Sequence, residues 1–269
     1  MSNPLATPRA WDGVADGYVS DLLPFFTRYA QDALRLAPLP ANAEVLDVAA
    51  GPGTLALLAA QGGAHVTAVD FSLPMVEHLR ELAKARKLSG IEAQVGDGQR
   101  LLLANDYFHT VFCLFGIIFF PDRGQGFREL LRVLKPGGTA VISSWVPVER
   151  IPSLHALWTI VRALVPNLPY GGGKAPLGEP DEIRLEMAAA GFVETSVHSI
   201  AHALSFPSVS AFWQSMLRSS PPLALLRESL GDKEWSSFNE AAVAKLTEQL
   251  GDGVIRAEWP ALLGLGRKP

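Results

Sequence analysis

The sequence predicts an α/β fold in which helices cover both faces of a mostly parallel β-sheet. Two observations predict it. Apolar strand-like runs alternate with helical patterns over residues 44–145, and this alternation is typical of a parallel sheet. The chain has 269 residues, of which 48% are hydrophobic, so one large domain can bury a substantial core. We therefore expect a single domain over residues 1–269.

The N-terminal half contains the regular part of this alternation. Apolar residues at helical spacing predict a helical cap over residues 11–37, either as one helix kinked at Pro24 or as two short helices. Ser72 fits the N-cap of a later helix because its hydroxyl can accept a hydrogen bond from a free backbone N–H. The predicted strands are 44–49, 64–70, 91–97, 109–117 and 138–145, and the predicted helices are 54–61, 72–87 and 125–134.

After Trp145 the alternation stops. A proline- and glycine-rich stretch and a later pair of amphipathic helices are predicted to be lid insertions, over residues 147–180 and 205–252. Pro260 indicates that the beginning of the last strand lies at an exposed edge. The predicted elements are helices 181–190, 208–217 and 233–250, a strand over 192–204 and a last strand within 254–266.

Composition and charge restrict the partners. The formal net charge is −4, which gives no basic surface for nucleic acid or for an anionic membrane. The start of the chain lacks the pattern of a secretory signal, and the longest apolar run, residues 111–120, is too short to cross a bilayer. The single cysteine, Cys113, fits a buried position and a reducing compartment. We expect a cytoplasmic protein with a small-molecule partner, without nucleic acid or membrane.

A glycine-containing turn follows the first strand, in the segment VLDVAAGPGTLALL. Gly51 and Gly53 let the backbone approach a ligand closely, and the next helix presents free N–H groups at its N-terminus. The pattern Gly51-x-Gly53-x-x-Ala56, with Asp70 ending the next strand, also satisfies the dinucleotide-binding fingerprint. An NAD-type dehydrogenase is therefore one alternative, and a tight turn without any ligand is another.

Three aspartates at strand ends favour a different ligand. Asp47 would repel a pyrophosphate but attract an ammonium group. Asp70 can accept hydrogen bonds from two ribose hydroxyls, and Asp97 can accept one from an adenine amine. Ligands of such sheets lie at the carboxyl ends of the strands. An amino acid end, a ribose and an adenine in this order describe S-adenosylmethionine.

The chain resembles the class I S-adenosylmethionine-dependent methyltransferases, in the small-molecule group that includes the ubiquinone and menaquinone methylases. VLDVAAGPGTLA resembles the first motif of the family, VTAVDFSLPMVEHLRELA its ribose motif and VGDGQRL its adenine motif. FRELLRVLKPGGTAVISSW resembles the segment that leads through its fifth strand, and a weaker resemblance resumes at GEPDEIRLEMAAAGF. The resemblance implies a Rossmann-like seven-stranded sheet with a final antiparallel strand, S-adenosyl-L-methionine as cofactor, and methyl transfer as activity.

The cofactor site follows from these motifs residue by residue. Ala49 stands where the family usually has the first glycine of its loop, which is strained if φ of Ala49 is positive. His109 stands where the family usually has aspartate, and we interpret it as structural. The residues expected to bind the cofactor are Asp47, Ala49, Gly51, Gly53, Asp70, Phe71, Ser72, Met75, Asp97, Gly98, Leu114 and Phe115.

The methyl acceptor needs a pocket beside the cofactor. In-line displacement requires a nucleophile held about 3 Å from the methyl carbon, and a dry aromatic site assists it. For Phe119, Trp213 and Met216, packing in the core is an equal alternative to substrate contact. If these side chains line a pocket, the acceptor is a hydrophobic or aromatic small molecule. The residues expected to bind it are Trp11, Tyr18, Gly116, Phe119, Trp145, Trp213 and Met216.

The sequence identifies no catalytic residue, because a general base is optional for methyl transfer. His155 is the best placed histidine, with a solvent-facing role as its alternative. The histidines show no metal-ligand spacing, so we expect no metal. The stretch PYGGGKAPLG is either a lid element or a plain linker, and it is no P-loop because alanine follows Lys174. A domain that binds the cofactor without methyl transfer remains an alternative, and pairing of two copies through the lid is compatible with the sequence.

Overall fold

The computed structural model describes residues 3–166, 168 and 174–269, and its centre is one β-sheet. The strands are β1 (Glu44–Val48), β2 (His65–Asp70), β3 (Ile91–Val95), β4 (Phe108–Leu114), β5 (Leu134–Trp145), β6 (Val193–Phe206) and β7 (Ile255–Arg267). They form a seven-stranded sheet in the order β3-β2-β1-β4-β5-β7-β6. The predicted fold is therefore confirmed, including an antiparallel last strand.

Helices cover both faces of this sheet. They are α1 (Pro8–Asp12), α2 (Ala15–Gly17), α3 (Leu23–Leu36), α4 (Thr54–Gln61), α5 (Leu73–Ala85), α6 (Arg123–Val133), α7 (Pro152–Leu164), α8 (Pro180–Ala190), α9 (Val209–Ser219), α10 (Pro221–Ser229) and α11 (Asp232–Leu250). A π-helical turn, Tyr18–Leu22, joins α2 to α3, and Pro24 lies in the first turn of α3. The N-terminal segment thus consists of separate helices joined by a π-helical turn, and it is not one helix kinked at Pro24.

The strand directions determine where a ligand can bind. β1 pairs in parallel with β2 and β4, while β2 pairs in parallel with β3 and β4 with β5. β7 lies antiparallel between β5 and β6. The carboxyl ends of β1 to β5 consequently meet at one edge of the sheet, where open α/β sheets bind their ligands.

Burial on both faces explains why the central strands consist of continuous apolar runs. Val45 and Phe112 belong to a core cluster with α4 and α5, whereas their neighbours Leu46 and Val111 belong to a second cluster with α6 and α7. Successive side chains of a strand point to opposite faces, so both neighbours must be apolar when helices cover both faces. This is the pattern that predicted the parallel sheet.

Local signals define the helices closest to the site. α4 begins after Gly53 and ends at Gly62, as predicted. The hydroxyl of Ser72 accepts a hydrogen bond from the backbone N–H of Met75 and caps α5, also as predicted. Both helices therefore start directly at the ligand-binding edge of the sheet.

Two helices of the C-terminal part were not predicted. α7 buries Ala156, Leu157, Ile160 and Val161, but its helical spacing lies inside a stretch interpreted as irregular because of its prolines. α10 begins with two prolines, which a first helical turn tolerates because its N–H groups have no helical partner. Residues 167 and 169–173 lie outside the described residues, and so does most of the stretch PYGGGK.

Pro260 lies where β7 loses one of its two partners. The last ladder pair between β5 and β7 is Trp145 with Ala261, and the Val146 N–H still donates to the Pro260 carbonyl at 3.5 Å, so residues 255–259 pair with β6 alone. The beginning of β7 is therefore an edge, as predicted, and the side chains of Arg256 and Glu258 on it are exposed. Trp259 is buried and its indole N–H donates to the Ser153 hydroxyl of α7 at 3.1 Å.

The N-terminal helical segment packs against α9 and α10 of the predicted lid. Arg218 of α9 pairs with Asp21 at 2.7 Å, and Arg9 of α1 pairs with Glu228 of α10 at 2.8 Å. A Cβ atom at Gly17 would overlap the backbone carbonyl of Arg218, so α2 and α9 are in direct backbone contact. The predicted cap and the predicted lid are therefore in direct contact. Within the part of the chain that the structure describes, no helix is both long and apolar enough to traverse a bilayer.

Candidate cofactor and acceptor site

The turn after β1 has the left-handed backbone that its glycines suggested. φ is 53° at Gly51 and 87° at Gly53, and it is also positive, 55°, at Ala49. A Cβ atom at Gly53 would overlap Leu79 of α5, whereas one at Gly51 would meet no atom within 4 Å. Gly53 is thus needed for packing, and Gly51 faces open space that a ligand can fill. Ala49 is the strain point anticipated for a side chain at the first glycine position.

Asp47 is a buried carboxylate below this turn. The residue is only 2% exposed, and its Oδ2 accepts a hydrogen bond from the backbone N–H of Ala56 at 3.1 Å. Burial raises the pKa of Asp47 to about 8, and the nearby charge of Asp70 adds to the increase. A cationic group beside Asp47 would reverse this effect, because it favours the ionised carboxylate.

Asp70 connects the turn after β1 with the start of α5. Its Oδ2 accepts from the backbone N–H of Gly51 and its Oδ1 from that of Ser72, both at 2.8 Å. Burial raises its pKa to about 6 despite these bonds, and the charge of Asp12 acts in the same direction. Each carboxylate oxygen keeps a second acceptor position for a ligand.

Asp97 and Gly98 lie at the open end of the same edge, after β3. Asp97 is exposed, and its Oδ1 accepts from the backbone N–H of Gln99 at 2.8 Å. Gly98 is buried, and a Cβ atom there would overlap Val48 and the ring of Phe120. The absence of a side chain therefore keeps the loop close to the end of β1.

These aspartates lack a cationic partner. Asp47, Asp70 and Asp97 form no salt bridge with lysine, arginine or histidine in residues 3–166, 168 and 174–269. A buried carboxylate without a counter-ion is costly unless a ligand compensates it. The site therefore fits a ligand with positive charge and hydrogen-bond donors, and disfavours a pyrophosphate.

Aromatic rings occupy the neighbouring part of the edge, after β4 and β5. The rings of Phe115 and Trp145 stack at 4.1 Å, and Phe26 of the cap contacts both edge-on. Tyr18 stacks on Phe26 at 5.2 Å. Farther out on the cap, Trp11 meets Phe119 edge-on at 4.9 Å. Five of the predicted acceptor residues thus lie on the cap or on the loops beside it: Trp11, Tyr18, Gly116, Phe119 and Trp145.

Comparisons with known proteins show which family the chain resembles. Residues 45–138 match the model of a methyltransferase domain. The chain is 40% identical over 119 residues to the ubiquinone/menaquinone biosynthesis C-methyltransferase UbiE of Geotalea daltonii, covering 43% of this chain and 49% of that relative. The chain therefore spans about half the length of this relative.

A longer match decides the family. The chain is 31% identical over 183 residues to the demethylmenaquinone methyltransferase of Thermus thermophilus, and the match covers 61% of this chain and 81% of that protein. This chain belongs to the class I S-adenosylmethionine-dependent methyltransferases. The resemblance inferred from four motifs is thus confirmed.

Solved structures of other proteins share its fold. A methyltransferase-like protein from Bacillus halodurans has a TM-score of 0.59 at 20% identity, over 89% of this chain and 98% of its own. The [4+2]-cyclase SpnF has a TM-score of 0.56 at 22% identity, over 90% of this chain and 81% of its own. At these identities the likeness concerns the fold alone.

The other predicted residues of this methyltransferase occupy three kinds of position. Ser72 and Met75 are buried at the start of α5, whereas Phe71 and Leu114 are half-buried at the ends of β2 and β4. Trp213 and Met216 are buried in the lid, where the indole N–H of Trp213 donates to Asn239 of α11 at 2.7 Å. These contacts are those of the core-packing alternative.

The two singled-out histidines differ in their surroundings. His109 accepts a hydrogen bond from the backbone N–H of Glu44 at 2.9 Å through Nδ1, which agrees with a structural role. His155 is half-buried on α7, and its imidazole has no hydrogen-bond partner among the described residues. Nothing in the described chain therefore orients His155 as a base. Among residues 3–166, 168 and 174–269, no group of three or more histidine, cysteine, aspartate or glutamate side chains is arranged to hold a metal ion.

Sequence reasoning missed Asp12. It lies at the end of α1, and its Oδ1 accepts a hydrogen bond from the Ser72 hydroxyl at 2.6 Å. Its neighbour Trp11 was predicted because aromatic side chains are typical of apolar pockets. An exposed aspartate in a short helix carries no comparable signal.

Proposed function

We propose that this methyltransferase transfers the methyl group of S-adenosylmethionine to a small hydrophobic or aromatic molecule by in-line displacement. One observation carries the proposal. Two buried carboxylates without a cationic partner, Asp47 and Asp70, lie at neighbouring strand ends beside the glycine turn, and a cluster of aromatic rings lies at the next strand ends of the same edge. A cationic nucleoside fits the first region, and an apolar acceptor fits the second.

The residues around Gly51 suit each part of that nucleoside. Asp47 would pair with the ammonium group, Asp70 would accept from the ribose, and Asp97 would accept from the adenine amine. When bound, S-adenosylmethionine supplies an electrophilic methyl group on a sulfonium centre. The pyrophosphate of NAD would instead offer Asp47 no positive charge to offset the cost of ionising this buried carboxyl. Family membership also speaks against the dehydrogenase alternative.

The chain's own contribution to catalysis would be to position the two reactants and to exclude water from the site. The turn after β1 fixes one reactant, and the loops after β4 and β5 fix the other, so that the two reacting atoms approach in line. Holding reactants in this way can lower a barrier by about 7 to 11 kcal/mol without any general base. The aromatic rings exclude water and can stabilise a positive charge.

The relatives suggest where to begin the search for the acceptor. Two of them are named for ubiquinone or menaquinone methylation. Quinols and phenols are aromatic and apolar, in agreement with Trp145 and Phe115 as pocket residues. We therefore place aromatic hydroxy compounds first among the candidate acceptors.

Binding and turnover can be tested separately. We expect calorimetry to show micromolar binding of S-adenosylhomocysteine and none of NADH, and the reverse result would refute the proposal. Incubation with methyl-labelled S-adenosylmethionine and a panel of quinols, phenols and amines should label at least one acceptor. Cofactor binding with no labelled product across the panel would favour a non-methylating use of the fold, for which the [4+2]-cyclase SpnF offers a comparison.

His155 is a minor candidate within this proposal. Because no described group orients its imidazole, we expect His155→Ala to keep activity within about threefold of the wild type from pH 6 to 9. A larger loss over the neutral and alkaline part of the pH profile, together with disappearance of its acidic limb, would instead identify His155 as the base.

A further inference from the structure

The N-terminal cap brings a fourth carboxylate to the cofactor site. Asp12 of α1 and Ser72 at the start of α5 are joined by a hydrogen bond of 2.6 Å between Oδ1 and the hydroxyl. The two residues are 60 positions apart in the sequence, so only the docking of the cap creates this contact. Asp12 is exposed, which places it at the rim of the site rather than in its interior.

Ser72 stands between two aspartates. Its hydroxyl donates to Asp12, while its backbone N–H donates to Asp70 at 2.8 Å. Neither aspartate has a lysine, arginine or histidine partner in the part of the chain that the structure describes. The charge of Asp12 raises the pKa of the buried Asp70, so the two carboxylates repel each other when no ligand is present.

This repulsion is unfavourable for the protein alone, and a ligand with two adjacent donors would relieve it. The Oδ2 atom of Asp12 has no hydrogen-bond partner among the described residues, and both oxygens of Asp70 keep one acceptor position. The open space at Gly51 lies directly beside Asp70, because the Gly51 N–H is bonded to it. A vicinal diol presents two hydroxyl groups to two such acceptors.

Two further contacts hold the cap in the position that places Asp12. Asp16 of α2 contacts the His78 ring of α5 at 2.7 Å, and Asp21 pairs with Arg218 of the lid at 2.7 Å. His78 lies farther along α5 than Ser72, which caps the start of that helix. The contact at Asp16 therefore provides a control for docking of the cap without contact to Asp70.

We propose that Asp12 is a second ribose-binding residue, which the cap adds to the cofactor site, and that it accepts one ribose hydroxyl while Asp70 accepts the other. The inference rests on the proposed function, since it assumes that S-adenosylmethionine binds at Gly51. Removal of one charged acceptor should weaken cofactor binding by about tenfold. The loss should depend on the presence of the hydroxyl that Asp12 contacts.

The test compares three ligands with three proteins by calorimetry. The ligands are S-adenosylhomocysteine and its 2′-deoxy and 3′-deoxy forms, and the proteins are the wild type, Asp12→Asn and Asp16→Asn. We expect Asp12→Asn to bind S-adenosylhomocysteine about tenfold more weakly than the wild type does. For one of the two deoxy forms, the one that lacks the hydroxyl contacted by Asp12, we expect the variant and the wild type to have the same affinity. Asp16→Asn should bind all three ligands within about twofold of the wild type.

Other results would overturn the inference. An equal loss for all three ligands in Asp12→Asn would mean that Asp12 only fastens the cap, and an unchanged affinity would mean that it has no role in binding. Unchanged thermal unfolding of Asp12→Asn would exclude a folding defect as the cause of a loss. If the wild type does not bind S-adenosylhomocysteine at all, the proposed function fails together with this inference. If the wild type binds it and Asp12→Asn gives either of the results above, only this inference fails.

Discussion

Two adjacent regions of the same sheet edge have opposite chemistry. After β1, β2 and β3 the edge carries the carboxylates Asp47, Asp70 and Asp97. After β4 and β5 it carries the stacked rings of Phe115 and Trp145, covered by Phe26 of the cap. We call these the carboxylate region and the aromatic region. The first suits a cationic nucleoside and the second an apolar acceptor, so the difference separates the two reactants.

The two regions meet at one contact between neighbouring strands. A Cβ atom at Gly116, after β4, would overlap the methyl group of Ala49, after β1. Both loops have a non-glycine residue with positive φ at this point, 55° at Ala49 and 57° at Phe115. Strained backbone of this kind often occurs at functional sites. In the proposed reaction, the methyl group would cross from one region to the other here.

Removal of the Asp70 charge should have the largest effect on the carboxylate region. Asp70→Asn loses acceptors for the ribose and weakens the bond that holds Gly51. We expect affinity for S-adenosylhomocysteine to fall about 100-fold, which corresponds to about 2.7 kcal/mol. Asp181→Asn, at an exposed ion pair on α8, serves as the control and should bind as the wild type does. Unchanged binding in Asp70→Asn would contradict the assignment of the carboxylate region.

A methyl group added at the boundary should destabilise the protein. Gly116→Ala would force the loops after β1 and β4 apart, and we expect a loss of about 2 kcal/mol in the free energy of unfolding. Ala49→Gly in the same chain should recover part of this loss because it removes the overlapping methyl group. Gly124→Ala, near the start of α6, should be neutral or slightly stabilising, because its new methyl would approach only the ends of two exposed side chains, Arg128 at 3.3 Å and Asp122 at 3.4 Å. Additive effects of the Ala49 and Gly116 changes in denaturant titrations would show that the two loops are not in contact.

The protonation of Asp47 should make cofactor binding depend on pH. Its pKa of about 8 means that the unliganded carboxyl is mostly protonated at pH 6, and it must lose this proton to pair with an ammonium group. The ionised fraction of Asp47 rises from about 1% at pH 6 to about 75% at pH 8.5, so we expect affinity for S-adenosylhomocysteine to increase about 75-fold over this range, with proton release measurable by calorimetry in buffers of different ionisation enthalpy. The dependence should be much weaker in Asp47→Asn, and a pH dependence equal to that of the wild type would exclude Asp47 as its source.

The same shifts act in the opposite direction on the unliganded protein. The pKa values of Asp47 and Asp70 are higher in the folded protein than the ordinary value near 3.8, so protonation at low pH favours the folded state. This contribution to stability is lost as pH rises through about 6 and then about 8. Bound cofactor should remove part of this loss, which thermal unfolding with and without S-adenosylhomocysteine can measure.

The smallest effect is expected from a substitution in the aromatic region, and it should leave the affinity for the cofactor unchanged. Trp145→Leu removes the ring proposed to contact the acceptor beside Phe115, and one aromatic contact is worth about 1 kcal/mol, so we expect KM for the acceptor to rise about fivefold. Affinity for S-adenosylhomocysteine should stay within about twofold of the wild type. Trp213→Phe is the matched control in the lid interior, where it should lower thermal stability but change neither constant. Equal losses of both affinities in Trp145→Leu would show that the two regions are not separate.

The carboxylate region was predictable because its signals are local. Asp47, Gly51, Gly53 and Asp70 lie at strand ends, and strand ends of a parallel sheet are recognisable from the apolar runs before them. The hydrogen bonds of Asp70 to Gly51 and Ser72 could not be inferred from spacing, because they depend on the exact approach of two loops.

The aromatic region was predictable only as a list of residue types. An aromatic side chain at helical or strand spacing fits a core and a pocket equally well. The structure separates Trp145, which stacks beside the site, from Trp213, which packs against Asn239 and Phe238 inside the lid. The helices α7 and α10 were missed because prolines obscured short helical patterns.

The sequence by itself determined the alternation of strands and helices, the cap at Ser72, the glycine turn and the acidic strand ends. Each of these follows from periodicity or from backbone preferences within a few residues. Only the tertiary structure decided that β7 lies between β5 and β6, that Asp12 reaches Ser72, and that Ala49 faces Gly116. Those contacts join residues distant in the chain, and their geometry is set by how whole helices and strands pack rather than by any local preference.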